Sequence, residues 1–192
     1  MEVKLVIPEE WSDITIETYQ KYVKIQNGKG SEKNKIIRSV ALLCNTTNKI
    51  VKAMPYSDLV FIMQTLRDLV DQEPDKEKFR KLIDIEGEQY GFIPNMSKMT
   101  TGEYIDLETY CKEPIENLHI IMSILYRKVK LKRGDRYAIE SYDPELFKEE
   151  LFKLCKMDIA LGSLGFFLTI GEKLAQTSHS YLEALNQTQQ KV

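Results

Sequence analysis

Hydrophobic positions along most of the chain recur at helical spacing, and residues suited to helix starts precede several of these stretches. Thr15 stands before the apolar stripe of Ile16, Tyr19 and Val23, and Thr100 with Glu103 forms a capping-box pattern. Further stretches of this kind start near Ile36, Pro55, Pro114 and Asp143-Pro144. The pattern therefore predicts a mainly α protein.

Two short stretches alternate between apolar and polar residues instead, and each contains a turn signal. The first surrounds Glu86-Gly87, and the second surrounds Arg133-Gly134-Asp135. Ile83, Ile85, Tyr90 and Phe92 supply the apolar positions of the first, and Val129, Leu131, Tyr137 and Ile139 those of the second. We expect two small β-hairpins, near residues 83–92 and 129–139.

The two ends of the chain differ from this pattern. Val3, Leu5 and Ile7 alternate with other residues before Pro8, which predicts a short strand or an extended arm able to contact another subunit. Residues 177–192 are polar and rich in Gln, Thr and Asn. The expected organisation is an N-terminal arm at 1–14, one compact helical domain at 15–176 that carries both hairpins, and a polar tail at 177–192.

The most apolar part of the chain is 159–170, where a helix would have almost no polar face. It is shorter than the roughly 20 residues that a helix needs to cross a bilayer. Such a helix is covered on all sides, either in the core, which we favour, or in a subunit interface. Residues 1–8 lack a long apolar run, so we expect no secretory signal, no membrane contact and synthesis in the cytoplasm.

Composition points to an ordinary globular protein without an obvious chemical site. The chain has 192 residues, of which 43% are hydrophobic and 29% charged, and its formal net charge is −2, so there is no global attraction to nucleic acid or membrane. Its three cysteines are widely separated, which argues against a disulfide framework or a zinc site.

Candidate catalytic residues are also scarce. His119 and His179 lack nearby partners at catalytic or metal-binding spacing, and 27–31 lacks the leading glycine and the strand of a phosphate-binding loop. Carboxylate pairs such as Glu103 with Asp106 have the spacing of a solvated helix face. We therefore expect a protein that is not an enzyme and has no cofactor, metal or small-molecule substrate.

The second hairpin is the most charged feature of the chain. It carries the basic residues Arg127, Lys128, Lys130, Lys132, Arg133 and Arg136 against a single acid, Asp135. Strand alternation would place Lys128, Lys130 and Lys132 on one face, away from Val129 and Leu131. This hairpin is either a contact for DNA or an acidic partner surface, or an edge strand that its lysines protect from aggregation.

Three segments, read as a set, resemble a known group of proteins. They are IPEEWSDITIETYQKYVKI, MTTGEYIDLETYCKEPIENLHIIMSILYRKV and MDIALGSLGFFLTIGEKL. The resemblance as a whole extends over about two thirds of the chain. The pattern is similar to small tail-region proteins encoded among the virion genes of tailed bacteriophages, including crAss-like phages. It consists of core and cap residues, and it carries over no catalytic residue.

This resemblance implies a role in the phage particle or in its assembly. One role is an oligomeric ring protein of the head-to-tail connector or tail barrel, which would contact copies of itself, other portal or tail proteins and, non-specifically, the genomic DNA. In this role the protein would be located in the virion after synthesis in the host cytoplasm. The other role is a tail-assembly chaperone that does not remain in the particle.

Overall fold

Both predicted hairpins are present in the computed structural model, which describes residues 4–72, 79–146 (backbone alone at 146) and 148–169. Their strands are β1 (Leu82–Ile85), β2 (Glu88–Phe92), β3 (Tyr126–Arg133) and β4 (Arg136–Ile139). The first turn holds Glu86 and Gly87 at φ 50° and 78°, and Gly134 in the second turn has φ 58°. These left-handed conformations are typical of tight hairpins and suit glycine.

The two hairpins are not separate additions to a helical domain, because they pair with each other. Strand β2 runs antiparallel to β3, with Tyr90 opposite Lys128 and Phe92 opposite Tyr126, which gives a four-stranded sheet in the order β1-β2-β3-β4. The expectation of a mainly α fold with isolated hairpins is therefore wrong, and the described chain is mixed α/β. The physical reason is that an isolated hairpin is only marginally stable, whereas the joined sheet buries Ile83, Tyr90, Phe92 and Tyr126 in the core.

Helices make up most of the rest of the described chain. They are α1 (Ile16–Asn27), α2 (Glu32–Leu43), α3 (Asn48–Ala53), α4 (Tyr56–Val70), α5 (Thr101–Tyr110), α6 (Leu118–Leu125), α7 (Glu149–Phe152) and α8 (157–169).

Local sequence signals locate some helix starts correctly and misplace others. The cap at Thr15 and the capping box of Thr100 with Glu103 are confirmed. The helix expected from Pro114 begins only at Leu118, after a run of turns. The stretch after Asp143 forms a 3-10 turn, Pro144–Leu146, before the short α7.

The described residues form two hydrophobic clusters. The larger one joins the inner face of the sheet to α5, α6, α7 and the start of α8, and it also takes in Trp11 and Ile16. Within it, the Tyr126 hydroxyl donates to the carbonyl of Arg80 and lies 2.7 Å from the Ser163 hydroxyl on α8. The smaller cluster lies among α2, α3 and α4, and its buried members are Val40, Ala41, Cys44, Val51, Ile62 and Leu66.

The N-terminal segment packs on the smaller cluster instead of forming a strand. Residues 4–8 have no strand pairing, and the side chains of Leu5 and Ile7 lie partly buried against that cluster. Of the two expected forms, the strand is therefore wrong for residues 4–8, and Leu5 and Ile7 of the expected extended arm contact a cluster of the same chain. Val3 and the predicted tail at 177–192 lie outside the described residues.

Helix α8 is only partly a core helix over its described length. Ala160 and Ser163 are completely buried, whereas Leu164 and Phe167 are half-buried and Leu168 is exposed. An antiparallel bridge between Thr15 and Lys156 connects the start of α8 to the start of α1.

Candidate interaction surfaces

The basic hairpin does not have the face that strand alternation predicts. A register shift lies between Val129 and Leu131, so Val129 pairs with Ile139 while Lys132 pairs with Tyr137. Tyr137 and Ile139 are two residues apart on β4 and share a face, which places Lys132 on the same face as Val129. A bulge at residue 130 therefore separates Lys128 from Lys132, and the lysines do not line one surface.

Arg127 is part of the protein interior and not of an exposed basic surface. Its guanidinium lies 2.7 Å from the Glu103 carboxylate, and the two side chains are only 13% and 3% exposed. The Arg127 guanidinium carbon also lies 5.9 Å from the centre of the Tyr142 ring. Glu103 accepts from the backbone N–H of Thr100 in the capping box of α5, so Arg127 fixes that helix start to β3.

Lys128 is also neutralised by an intramolecular partner. Its ammonium lies 2.5 Å from Glu88 on β2, and Lys148 contacts the same carboxylate at 3.2 Å. The Tyr90 hydroxyl donates to Glu88 as well, at 2.9 Å. The hydrogen bond from Lys128, with those from Tyr90 and Lys148, lowers the pKa of Glu88 to about 2. This cluster stabilises the contact between β2 and β3.

The remaining cations form what we call the basic tip, namely Lys130, Lys132, Arg133 and Arg136. All are exposed, and none has an ion pair within 4 Å among the described residues. Asp135 lies in the same turn and is also exposed. The sheet order makes β4 an edge strand, so the tip is consistent both with an anion contact and with protection of the edge by charge.

Helix α4 exposes an apolar surface that the sequence pattern did not separate from the core. Ile62, Leu66 and Leu69 are buried, and they account for one side of the helix. A second set, which we call the α4 surface, is exposed to solvent: Tyr56 (79%), Phe61 (65%), Val60 (47%), Met63 (37%) and Val70 (36%). All of them except Phe61 follow the i, i+4, i+7 and i+14 spacing of a single helix face.

A smaller apolar surface lies on α5. Tyr104 is 59% and Ile105 52% exposed, although Leu107 on the same helix is buried. We call this pair the α5 surface. Glu108 is also exposed, and it follows Tyr104 at the spacing of one helical turn. The sequence pattern did not distinguish these residues, because other helices such as α1 and α4 also combine apolar and acidic positions.

A groove of about 620 Å³ opens where β2 ends and β4 begins. Phe79 and Phe166 stack in its wall with ring centres 3.9 Å apart, and Phe92 meets both rings edge-on. The lining also includes Ile93, Pro94 and Met96, and the charged side chains there are Lys81, Asp135 and Arg136. Sequence spacing could not have found this groove, because its residues come from four separate segments.

His119 and the three cysteines, Cys44, Cys111 and Cys155, are partly or fully buried. The Gln20 side-chain amide lies 3.0 Å from Nδ1 of His119 and also donates to the carbonyl oxygens of Ile115 and Glu116. Burial lowers the pKa of His119 and raises the pKa of the Cys44, Cys111 and Cys155 thiols. A thiol held in this way is a poor nucleophile at neutral pH.

Within the described part of the chain, no group of three or more His, Cys, Asp or Glu residues has a metal-binding arrangement. None of the described helices is both long and apolar enough to pass through a bilayer. The features that stand out in these residues are the basic tip, the α4 surface, the α5 surface and the groove.

Comparison with known proteins adds no constraint to this picture. No protein-family model matches the sequence, and neither a curated protein nor a solved structure matches the chain.

Proposed function

We propose that this protein is a non-enzymatic structural subunit of a tailed bacteriophage particle, working as a ring-like oligomer in the head-to-tail connector or tail barrel. The observation that carries the proposal is the α4 surface. Large apolar side chains that are exposed along one helix face, here Tyr56, Val60, Met63 and Val70, are unusual on a monomer and are typical of protein contacts. The similarity of three sequence segments to virion-gene products supports the phage particle as the setting.

The residues of the α4 surface belong to neither of the two hydrophobic clusters. The buried side of α4 packs through Ile62 and Leu66 on the smaller cluster, and Leu69 reaches the larger one. The exposed side can therefore contact a neighbouring subunit while the chain stays folded. Such a division between a core side and a free side suits a subunit that folds first and assembles afterwards.

The basic tip gives this proposal a second contact. Four exposed cations lie around the turn between β3 and β4, on a chain whose formal net charge is −2, and such a local concentration of positive charge attracts anions. In a ring around the genome channel, a tip of this kind would face DNA phosphates without reading their sequence. On the outside of the ring, it would face acidic side chains of a portal or tail protein.

The experiment that tests the proposal is quantitative mass spectrometry of purified particles of the source phage. A ring subunit is expected at a copy number that matches the portal or a small multiple of it. A phage that carries Tyr56→Ser with Phe61→Ser should incorporate less of the protein, whereas Leu154→Ser, a change at another exposed apolar residue, should be incorporated normally. Abundance in infected cells together with absence from particles would reject the structural role.

The groove favours a second candidate, a tail-assembly chaperone. A chaperone needs a cavity that holds a segment of another protein, and the groove offers an aromatic wall with charges of both signs. The same mass spectrometry distinguishes the chaperone from the ring subunit, because a chaperone accumulates in the lysate and is missing from the particle. Co-purification with an unassembled tail protein from infected cells would then support the chaperone role.

A further inference from the structure

We propose that the α4 surface of one copy binds the α5 surface of the next copy, with Arg67 of the first paired to Glu108 of the second. This inference rests on the proposed oligomeric function and deepens it, because it names the two surfaces that meet. The contact is head-to-tail, so each copy uses one surface on each side.

Arg67 interrupts an otherwise apolar helix face. It occupies the i+11 position of the stripe that begins at Tyr56, between Met63 and Val70. Its side chain is exposed and has no ion pair within 4 Å in residues 4–72, 79–146 and 148–169. A partner that covers this face must therefore supply an anion beside apolar side chains, because an unpaired buried charge is very costly.

The α5 surface offers an anion beside apolar side chains. Tyr104 and Ile105 are large, apolar and more than half exposed, and Glu108 is exposed beside them. Glu108 also has no ion pair within 4 Å among the described residues, although the neighbouring Asp106 accepts a hydrogen bond from Tyr142. One free anion therefore stands next to an apolar pair on α5, opposite in charge to the free cation on α4.

The spacing of the two sets is the same. Arg67 follows Met63 by four residues on α4, and Glu108 follows Tyr104 by four residues on α5. Both steps correspond to about one helical turn, or about 6 Å along the axis. When the helices lie side by side in the same direction with Met63 against Tyr104, Arg67 therefore lies beside Glu108.

Two copies of the chain fit together better through α4 and α5 than through a symmetric pairing of their two α4 helices. In a two-fold pair centred on Met63, Arg67 of each helix would face apolar residues of the other, such as Leu59 and Val60. Its charge would then be buried without an anion, which is costly. The α4-to-α5 contact supplies the anion. Because it joins different surfaces, it repeats from copy to copy and closes into a ring when the rotation between copies allows it.

Charge-swap variants of the full chain test this contact by sedimentation velocity over a concentration series. Arg67→Glu alone and Glu108→Arg alone should each weaken self-association by at least about tenfold, since each places like charges together. An equimolar mixture of the two single variants should recover assembly, because alternating copies restore opposite charges at every contact. The double variant Arg67→Glu with Glu108→Arg should assemble by itself.

Matched controls carry the same charge changes outside both surfaces. Arg38→Glu and Glu116→Arg alter exposed residues on α2 and before α6, and each should associate like the unmodified chain. Circular dichroism and urea unfolding should show that all variants keep the fold, since every substituted residue is exposed.

The outcomes separate this contact from the proposed function. An unmodified chain that assembles, with single variants that assemble equally well, overturns the α4-to-α5 contact and leaves the oligomeric role. Single variants that dissociate without recovery on mixing also overturn it, and assign α4 to a symmetric contact or to another protein. An unmodified chain that stays monomeric and is absent from particles overturns both proposals.

Discussion

The guanidinium of Arg127 on β3 lies 2.7 Å from the carboxylate of Glu103 in the first turn of α5, with both side chains nearly excluded from water. A buried pair of this kind makes removal of one partner more damaging than removal of both, because the remaining charge has no compensation. Arg127→Met should therefore lower the free energy of unfolding by about 3 kcal/mol or more. The double variant Arg127→Met with Glu103→Gln should lose less than the sum of the single changes. Urea unfolding measures all three.

The exposed pair of Lys21 and Glu17 provides the control for this prediction. These side chains are 2.6 Å apart but about half exposed, so Lys21→Met should change the free energy of unfolding by less than about 1 kcal/mol. A loss at Arg127 no larger than the loss at Lys21 would show that water reaches the Arg127 side chain.

The Glu88 cluster should make stability depend on pH in the acidic range. The pKa of Glu88 is lowered to about 2 in the folded chain, so the folded state binds this proton less readily than the unfolded state. The stabilisation is complete above the unfolded pKa of about 4.5 and is lost as the pH falls toward 2. Urea midpoints measured between these pH values should fall less in Glu88→Gln than in the unmodified chain.

Glu86→Gln is the control for the pH measurement, because Glu86 is an exposed carboxyl in the adjacent turn without an ion pair among the described residues. Its pH profile should follow that of the unmodified chain. An unchanged profile in Glu88→Gln would instead assign the acid sensitivity to other carboxyl groups.

Gly91 is required by a close contact across the sheet. A Cβ at this position would lie 2.5 Å from Cε2 of Tyr137 and 2.9 Å from Cγ2 of Ile139. The Tyr137 ring cannot easily move away, because its hydroxyl donates to the carbonyl of Phe92 at 2.7 Å. Gly91→Ala should therefore lower the free energy of unfolding by about 1–3 kcal/mol, as overpacking usually does.

Gly102→Ala is a useful comparison in the same assay. The nearest atom to an added Cβ there is Cε1 of Tyr142 at 3.6 Å, an ordinary contact, and the residue lies in helix α5. This change should stabilise the chain by about 0.4–1 kcal/mol, because alanine favours the helix and restricts the unfolded state. Equal effects of the two alanines would remove the packing explanation for Gly91.

The basic tip should bind duplex DNA through phosphates alone. Lys132→Glu with Arg133→Glu should weaken binding and reduce the slope of log K against log salt by about 2, since two phosphate contacts are lost. Fluorescence anisotropy with a labelled duplex over a salt series measures this slope. Lys33→Glu with Lys49→Glu, an equal charge change on α2 and α3, should leave the slope nearly unchanged.

An unaltered slope in the tip variant would contradict a DNA contact there. If particles that carry the same variant also assemble and retain their genome normally, the remaining explanation of the tip is protection of the β4 edge from aggregation.

Local chemistry in the sequence predicts the parts of this fold that depend on neighbouring residues. The capping box at Thr100 and the turns at Gly87 and Gly134 are each determined within a few residues, and the structure contains all of them. Pairing of β2 with β3 depends on segments separated by α5 and α6, so periodicity within either hairpin could not indicate it. The error in fold class follows directly from this missing contact.

The difference between local signals and contacts of distant segments also explains which features of the candidate surfaces the sequence did not predict. Charge density selected Lys132 and Arg133, which are exposed, together with Arg127, whose partner Glu103 lies on another element. On α4, the apolar residues form two stripes, and only the packing of Ile62 and Leu66 reveals which stripe is internal. Sequence periodicity identifies an apolar face, but it does not identify what covers that face.

The antiparallel contact of Phe92 with Tyr126 has a consequence for the route by which the chain folds. Each hairpin closes a loop of a few residues and can form within microseconds, whereas joining them requires the whole segment carrying α5 and α6 to be drawn together. The transition state is therefore expected to contain this junction, and substitutions there should slow refolding more than they speed unfolding. A chain emerging from the ribosome could not pair β2 with β3 until Tyr126 had been synthesised. Until then, the edge of β2 that later binds β3 would remain unpaired.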